Sequence, residues 1–197
     1  ELIRSQSDPV SAAVITASAS VLVAVLAFVL NQRALLRQEQ RQARLTRINS
    51  QLHDLYGPLN ALVDVNERLF TALAGPVLPP KSERQAGKGS DEWRRWRDEA
   101  LMPANRTMRD LIIRHADLLI EDHVPQPLRD FCAHVASLEV VLAGQSAGIF
   151  TRPLITHPGS EYVSYVQTSF RRLKAEQHQI VKLIDRAAAA DPPAVAP

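Results

Sequence analysis

An uncharged apolar run over residues 10–30 constrains this chain more than any other feature of its sequence. The run follows Pro9, and the next charged residue is Arg33. About twenty helical residues, at roughly 1.5 Å each, match a hydrocarbon core of about 30 Å. The run therefore predicts a transmembrane helix over residues 10–30, preceded by a short extracytoplasmic amino terminus over residues 1–9.

A cleaved signal peptide is the alternative interpretation of the same run. The run is longer than a typical signal-peptide core, and the residues before it carry no net positive charge. Its small-residue triplet, Ala17-Ser18-Ala19, lies inside the apolar stretch and not after it. These three features favour an uncleaved anchor.

The charge on the carboxyl side of the run predicts its orientation. Residues 33–47 contain five arginines and one acidic residue, Glu39. Cytoplasmic flanks of membrane helices carry an excess of Lys and Arg. The sequence therefore predicts a single-pass protein of the bacterial inner (plasma) membrane, with its amino terminus outside and its carboxyl-terminal domain in the cytoplasm. We expect the arginines nearest the run to contact lipid headgroups; these are Arg33, Arg37 and Arg41.

Small side chains recur every four residues within the run, at Ala12, Thr16, Ser20 and Ala24. Such a stripe allows two membrane helices to approach closely, so it predicts packing against a second copy. The alternative is that alanine and serine are simply common in this segment.

The rest of the chain predicts an all-α fold. Seven glycines stand against thirteen prolines, and no short run alternates in the manner of a β-strand. We predict a cytoplasmic antiparallel helical bundle of about four helices over residues 31–187, whose first helix continues the transmembrane helix. Its helices are predicted over residues 31–74, 91–122, 126–143 and 160–187, with a loop over 75–90 and a disordered tail over 188–197. The alternative for 91–122 is a short helix followed by a longer one that starts at Met102 or Pro103.

A heptad-like seam follows the arginine-rich segment. Its members, spaced alternately by three and four residues, are Leu45, Ile48, Leu52, Leu55, Leu59, Leu62, Asn66, Leu69 and Leu73. The polar member, Asn66, could fix the register between copies or bond to a neighbour within one bundle; matching stripes in the later helices favour the bundle. Gly57-Pro58 interrupts the seam, and we expect a helix kink there without a change of phase.

Few residue patterns point to chemistry. The six histidines form neither a HExxH nor an ExxH pattern, and phosphate-binding glycine loops and serine nucleophile elbows are absent. Cys132 is predicted to be a small buried hydrophobe. Trp93 and Trp96 alternate with arginines, but their spacing predicts that both pack inward instead of stacking on bases. The sequence therefore predicts no metal site, no cofactor and no catalytic residue.

Several fragments carry a resemblance: LYGPL (55–59), EWRRW (92–96), PANR (103–106), DLLIEDHVPQPL (117–128), FCAHV (131–135) and YVSYVQTSFRRLKAEQ (162–177). On these fragments the chain resembles a group of uncharacterised bacterial single-pass membrane proteins with a cytoplasmic helical domain. The resemblance implies a defined soluble domain and assigns no activity.

The predicted function is that of a membrane-anchored, non-enzymatic helical interaction or scaffold protein. The alternative is an oligomeric membrane effector or sensor, which transmits a signal or forms a pore, as in bacterial defence. An enzyme without a recognisable motif is the third hypothesis. The expected partners are membrane lipid, a second copy of the chain and a protein of unspecified kind. A formal net charge of +2 is too small to predict nucleic-acid binding.

Overall fold

A computed structural model describes residues 9–80, 83, 89–149 and 153–190 of the chain. Of residues 9–15, 188 and 190 it describes the backbone only. The all-α prediction is confirmed: across these ranges the chain forms helices, turns and bends, with no strand. The predicted extracytoplasmic residues 1–8 and tail residues 191–197 lie outside the described residues.

Six α-helices run in chain order through the described residues: α1 Pro9–Ser50, α2 Gly57–Leu73, α3 Asp91–Trp96, α4 Met102–Arg114, α5 Gln126–Ser146 and α6 Ser160–Ala190. Two π-helical turns, Gln51–Tyr56 and Arg97–Leu101, join α1 to α2 and α3 to α4. A short 3₁₀ turn, Ala116–Leu118, follows α4.

The chain divides into two compact units, Glu1–Arg44 and Leu45–Pro197. In the first unit, every described side chain from Thr16 to Arg44 is exposed. The structure contains one helix near the amino terminus that is long and apolar enough, by length and composition, to cross a membrane.

The second unit has its own core. The core joins the end of α1, the first π-helical turn and α2 to side chains from α4, α5 and α6. Its largest fully buried apolar side chains are Tyr56, Tyr162, Phe131, Ile48, Leu55, Leu59, Met102, Met108, Ile112, Leu128 and Leu173. Every predicted seam position is buried or half-buried, as the amphipathic spacing of a bundle helix requires, with Leu69 and Leu73 in a second, smaller core.

The helix passes through Gly57-Pro58 by way of a π-helical turn, and the predicted kink stays a prediction. Pro58 has no N–H for the carbonyl four residues earlier. The chain instead widens into a π-helical turn, and the N–H of Gly57 donates to the carbonyl of Leu52, five residues back. The seam positions on both sides of the turn stay buried or half-buried, and Tyr56 and Val63, which the seam omits, are buried beside them.

The predicted helix over 91–122 is wrong in its carboxyl-terminal part. A second π-helical turn precedes Pro103, and α4 begins at Met102 and ends at Arg114. Beyond the 3₁₀ turn the backbone is extended at Leu119 (φ −59°, ψ 148°), whose side chain is buried. The backbone therefore leaves the helical conformation where the Leu119 side chain enters the core.

Smaller corrections concern the other helix ends and one tryptophan. Helix α5 continues past Gly144 to Ser146, and α6 continues to Ala190, into the predicted tail. Trp93 is buried in a small second core, but Trp96 is 40% exposed, so the inward prediction fails for Trp96. Helix α3 widens into a π-helical turn directly after Trp96, which ends the regular spacing on which that prediction relied.

Candidate functional site: a polar cluster at the first π-helical turn

Three side chains around the first π-helical turn, those of Arg47, Gln51 and Tyr56, hydrogen-bond to one stretch of backbone, residues 117–120. The Arg47 guanidinium donates to the carbonyl of Asp117 at 3.1 Å. The Gln51 side-chain amide donates to the carbonyl of Leu118 at 2.9 Å, and also to that of Leu119 at 3.5 Å. The carbonyl groups that accept these bonds lie in the segment that follows the end of α4.

The π-helical geometry places these side chains on one face. Arg47 and Gln51 are four residues apart, about one α-helical turn. Tyr56 lies five residues further on, and a π-helical turn, closed by i→i+5 bonds, takes roughly one residue more than an α-helical turn. In an uninterrupted α-helix Tyr56 would point away from Gln51. The turn that accommodates Pro58 therefore also builds the cluster.

A chain of hydrogen bonds crosses the cluster from backbone to carboxylate. The N–H of Ile120 donates to the Tyr56 hydroxyl at 3.4 Å. The hydroxyls of Tyr56 and Tyr165 are 3.1 Å apart, and Tyr165 donates to Glu121 Oε2 at 2.7 Å. Because the Tyr165 proton goes to the carboxylate, the Tyr56 hydroxyl donates to Tyr165. Arg47, Gln51, Tyr56, Glu121 and Tyr165 together form what we call the π-turn cluster.

The electrostatics of this cluster favour a structural role for its side chains over a catalytic one. Burial raises the pKa of Tyr56, and burial together with the bonds to Tyr56 and Glu121 raises the pKa of Tyr165. Both phenols therefore stay protonated at neutral pH and act as hydrogen-bond donors, not as bases. Gln51 Oε1 is buried with no hydrogen-bond partner among the described atoms, so the cluster has one unsatisfied acceptor.

A second cluster, of aromatic rings, joins α5 to α6. Phe131 and Tyr162 stack with ring centroids 4.0 Å apart. The ring of His157 meets Phe131 edge-on at 5.6 Å and His134 at 5.1 Å. Burial lowers the pKa of His157 to about 4 and also lowers the pKa of His134.

Both histidines in this cluster are therefore neutral at pH 7, and each uses Nδ1 locally. His134 Nδ1 donates to the carbonyl of Ile155 at 2.8 Å, and His157 Nδ1 accepts from the N–H of Gly159 at 2.9 Å. Nearby Cys132 is half-buried, and burial raises its pKa to about 11, which makes the thiol unreactive at neutral pH. Among the described residues, no group of three or more His, Cys, Asp or Glu side chains could hold a metal ion.

An ion-pair cluster links α4 to α5. Glu139 accepts from Arg106 Nε at 2.7 Å and from Arg109 at 2.5 Å. The hydrogen bond from Arg106 lowers the pKa of Glu139, with Arg109 adding to the effect. The two arginines bond to both oxygens of the Glu139 carboxylate, and these ion pairs connect α4 to α5.

The predicted membrane-helix residues lie in the first unit. Ala12 has a helical backbone, but its side chain lies outside the described part of the chain, while Thr16, Ser20 and Ala24 are exposed. The Ser20 hydroxyl donates to the carbonyl of Thr16 at 2.9 Å, a bond within its own helix. The three arginines predicted to contact lipid, Arg33, Arg37 and Arg41, are also exposed.

The other two predicted features lie in the second unit. Asn66 Nδ2 donates to Asn105 Oδ1 at 2.8 Å, so the polar seam member bonds to α4 of the same chain. Its own Oδ1 is buried without a partner among the described atoms. Gly57 is so close to the preceding turn that an added Cβ would lie 2.4 Å from the carbonyl oxygen of Leu52.

No protein-family model, curated protein or solved structure matches this chain. The resemblance carried by the sequence fragments stays a prediction. Three of those fragments meet at the π-turn cluster: LYGPL supplies Tyr56, DLLIEDHVPQPL supplies residues 117–121, and YVSYVQTSFRRLKAEQ supplies Tyr165.

Sequence patterns alone did not predict the residues of this cluster as a site. Gln51 falls between seam positions and is a polar residue, so the seam does not predict its burial to 2% exposure. Tyr165 and Glu121 carry no motif of their own. The usable signal was the Tyr-Gly-Pro sequence, because a proline within a helix requires an adjustment of the preceding turn.

Proposed function

We propose that this protein is a non-enzymatic scaffold held at a membrane by the helix over residues 10–30. The exposure of that helix carries the proposal. Its apolar side chains are exposed to the extent of 70% at Leu22, 57% at Leu26 and 62% at Phe28. A continuous apolar surface of this kind marks an interaction site, and its length fits a bilayer.

Two further observations support a scaffold. The second unit buries its own apolar core. The Tyr165 hydroxyl in the π-turn cluster and the half-buried Glu139 carboxylate are both engaged in structural bonds within the chain. The predicted orientation, carboxyl-terminal domain in the cytoplasm of a bacterium, is part of the proposal and rests on the arginines after residue 30.

Alkaline extraction and protease protection of the full chain, expressed in a bacterial host, test the anchoring. The protein should stay in the membrane pellet at high pH. Protease should degrade the bundle in inverted vesicles but not in intact spheroplasts. Release at high pH would overturn the anchor, and protection in inverted vesicles would overturn the orientation.

The scaffold role itself is tested by affinity purification of the tagged full chain from detergent extracts. A protein partner should be recovered with the wild type and lost when exposed bundle residues are changed. The exposed apolar side chains Val65, Ile113 and Val140 are suitable positions. Recovery of the bait alone would count against the scaffold.

A sensor or effector is the second candidate, and the extent of α1 is the observation that favours it. Helix α1 runs from Pro9 to Ser50, so the apolar run and Arg47 of the π-turn cluster belong to one helix. Overexpression would then cause ion leak or growth arrest. Replacing Ala12, Thr16, Ser20 and Ala24 by leucine should abolish both, because wide side chains block close helix approach. An unchanged phenotype would remove this candidate.

A further inference from the structure

We infer that Arg33 and Arg37 bind the phosphate groups of anionic phospholipids, and that Arg41, on the same side of the helix, attracts these lipids from a longer distance. The inference rests on the membrane anchoring proposed above and names the lipid class that the anchored helix selects. The three side chains lie in one unit of the structure and on one helix, α1.

Their spacing puts the three guanidinium groups on one side of α1. Each step of four residues rotates about 40° and rises roughly 6 Å. All three side chains are exposed, and among the described residues no ion pair joins any of them. The result is a positive strip along the helix.

The acidic residue of this segment does not neutralise the strip. Glu39 is two positions from both Arg37 and Arg41. Two residues correspond to about 200° around an α-helix, so Glu39 lies on the opposite side. It is also exposed. The strip therefore keeps its full charge toward a negatively charged surface.

The depth of each arginine predicts how it meets the bilayer. Counted from Leu30, the last residue of the uninterrupted apolar run, Arg33 lies about 4–5 Å further along the helix and Arg37 about 10 Å. A headgroup layer is roughly 5–8 Å thick on each side. Arg33 therefore lies within this layer, and Arg37 can reach back into it along its flexible stem.

Arg41 lies about 16 Å beyond Leu30, outside the headgroup layer. It acts on the membrane only through the surface potential, which decays over about 8 Å at physiological salt. The guanidinium groups of Arg33 and Arg37, in contrast, can bind phosphate oxygens in pairs. The strip thus contains two contact positions and one long-range position.

Spin-labelled lipids in bilayers containing the full chain test this surface. The measured quantity is the association of labelled phosphatidylglycerol relative to labelled phosphatidylcholine. An arginine near the surface contributes about a fivefold preference for anionic lipid. At about 0.15 M salt, Arg33→Gln should lower the ratio several-fold, and Arg33→Lys, which keeps the charge, should lower it less.

Salt separates the two kinds of position. Arg41→Gln should lower the ratio at about 0.01 M salt, where the screening length is about 30 Å, and leave it unchanged at about 0.15 M. Arg129→Gln is the matched control, since Arg129 is an exposed arginine of α5 and should have no effect. An equal loss from the control would overturn the inference.

The remaining outcomes distinguish a lipid site from a site for free phosphate. A wild-type ratio near one, in protein that still resists alkaline extraction, overturns lipid selection and leaves the anchoring intact. Release by alkali overturns the proposed function itself. Inorganic phosphate at about 10 mM should leave the ratio unchanged. If it reduces the ratio more than an equal ionic strength of chloride does, the strip is a site for free phosphate and not for lipid.

Discussion

At the scale of single residues, the Tyr56 hydroxyl connects the backbone to the hydrogen-bond chain of the π-turn cluster. It accepts from the N–H of Ile120 and donates to Tyr165. Tyr56→Phe leaves that N–H without its partner and should lower the free energy of unfolding by about 1–2 kcal/mol. Urea unfolding of the full chain in mild detergent, followed by circular dichroism, measures it.

Tyr162→Phe is the matched control for this substitution. Its ring is as buried as that of Tyr56, but its hydroxyl donates to Met108 Sδ at 3.4 Å, a weak acceptor. The control should lose less than about 0.5 kcal/mol. Equal losses for the two variants would show that the hydrogen-bond chain adds nothing to stability.

The buried ring of His157 predicts a loss of stability in mild acid. Its folded-state pKa, about 4, is below its ordinary value of 6.5, so the unfolded chain binds more protons between these limits. The stability from neutral His157 is complete above pH 6.5 and is lost as the pH falls toward 4. From about pH 7 to about pH 5 the free energy of unfolding should fall by about 1–2 kcal/mol, with the effect of partial solvent exposure included.

Urea unfolding at both pH values checks this dependence. His157→Gln removes the titrating group and should reduce the fall to less than half, with the remainder due to His134, whose pKa burial also lowers. His53→Gln is the control, because the side chain of His53 is 89% exposed. A slope that His157→Gln leaves unchanged would contradict the prediction.

At the scale of elements, Gly57 is the residue that the first π-helical turn requires. A Cβ at this position would lie 2.4 Å from the carbonyl oxygen of Leu52, and backbone cannot move aside as a flexible side chain can. Gly57→Ala should therefore destabilise the fold by about 2–3 kcal/mol, although alanine is the better helix former. Thermal unfolding of the full chain measures the change.

Gly75→Ala provides the comparison for this element. An added Cβ at Gly75 has nothing within 4 Å, so the change should stay within about 0.5 kcal/mol. If Gly57→Ala were as harmless as Gly75→Ala, the close approach to Leu52 would have to be absent in solution.

Sequence periodicity predicted the helices well and the turns that connect them poorly. The seam positions from Leu45 to Leu73 and the cap at Ser90, whose hydroxyl accepts from the N–H of Trp93, follow from local rules. The two π-helical turns do not, because a proline can be accommodated by a kink, a break or a wider turn. Which of these three forms depends on the tertiary contacts of the turn, which here are made with Tyr165 and the backbone after α4.

At the scale of the whole molecule, the division at Leu45 predicts an independently folding domain. Residues 45–197 contain every residue of the main core. Removing residues 1–44 should leave the melting temperature of the bundle within about 4 °C of its value in the full chain, a difference of about 1 kcal/mol. Circular dichroism of both proteins provides the comparison.

A shorter chain, residues 57–197, is the control for this truncation. It lacks the fully buried side chains of Ile48, Leu55 and Tyr56, and it should not unfold cooperatively. Cooperative unfolding of the shorter chain would place the start of the domain after the π-helical turn.

The position of the exposed apolar run ahead of the core also orders events during synthesis. The core includes residues as late as Leu173, which the ribosome adds about 140 residues after Leu30. At about 5–20 residues per second, that interval is roughly seven to thirty seconds. The apolar segment is therefore synthesised long before the later core residues of the bundle are available for folding. Under the proposed anchoring, insertion of this segment into the membrane would precede folding of the bundle.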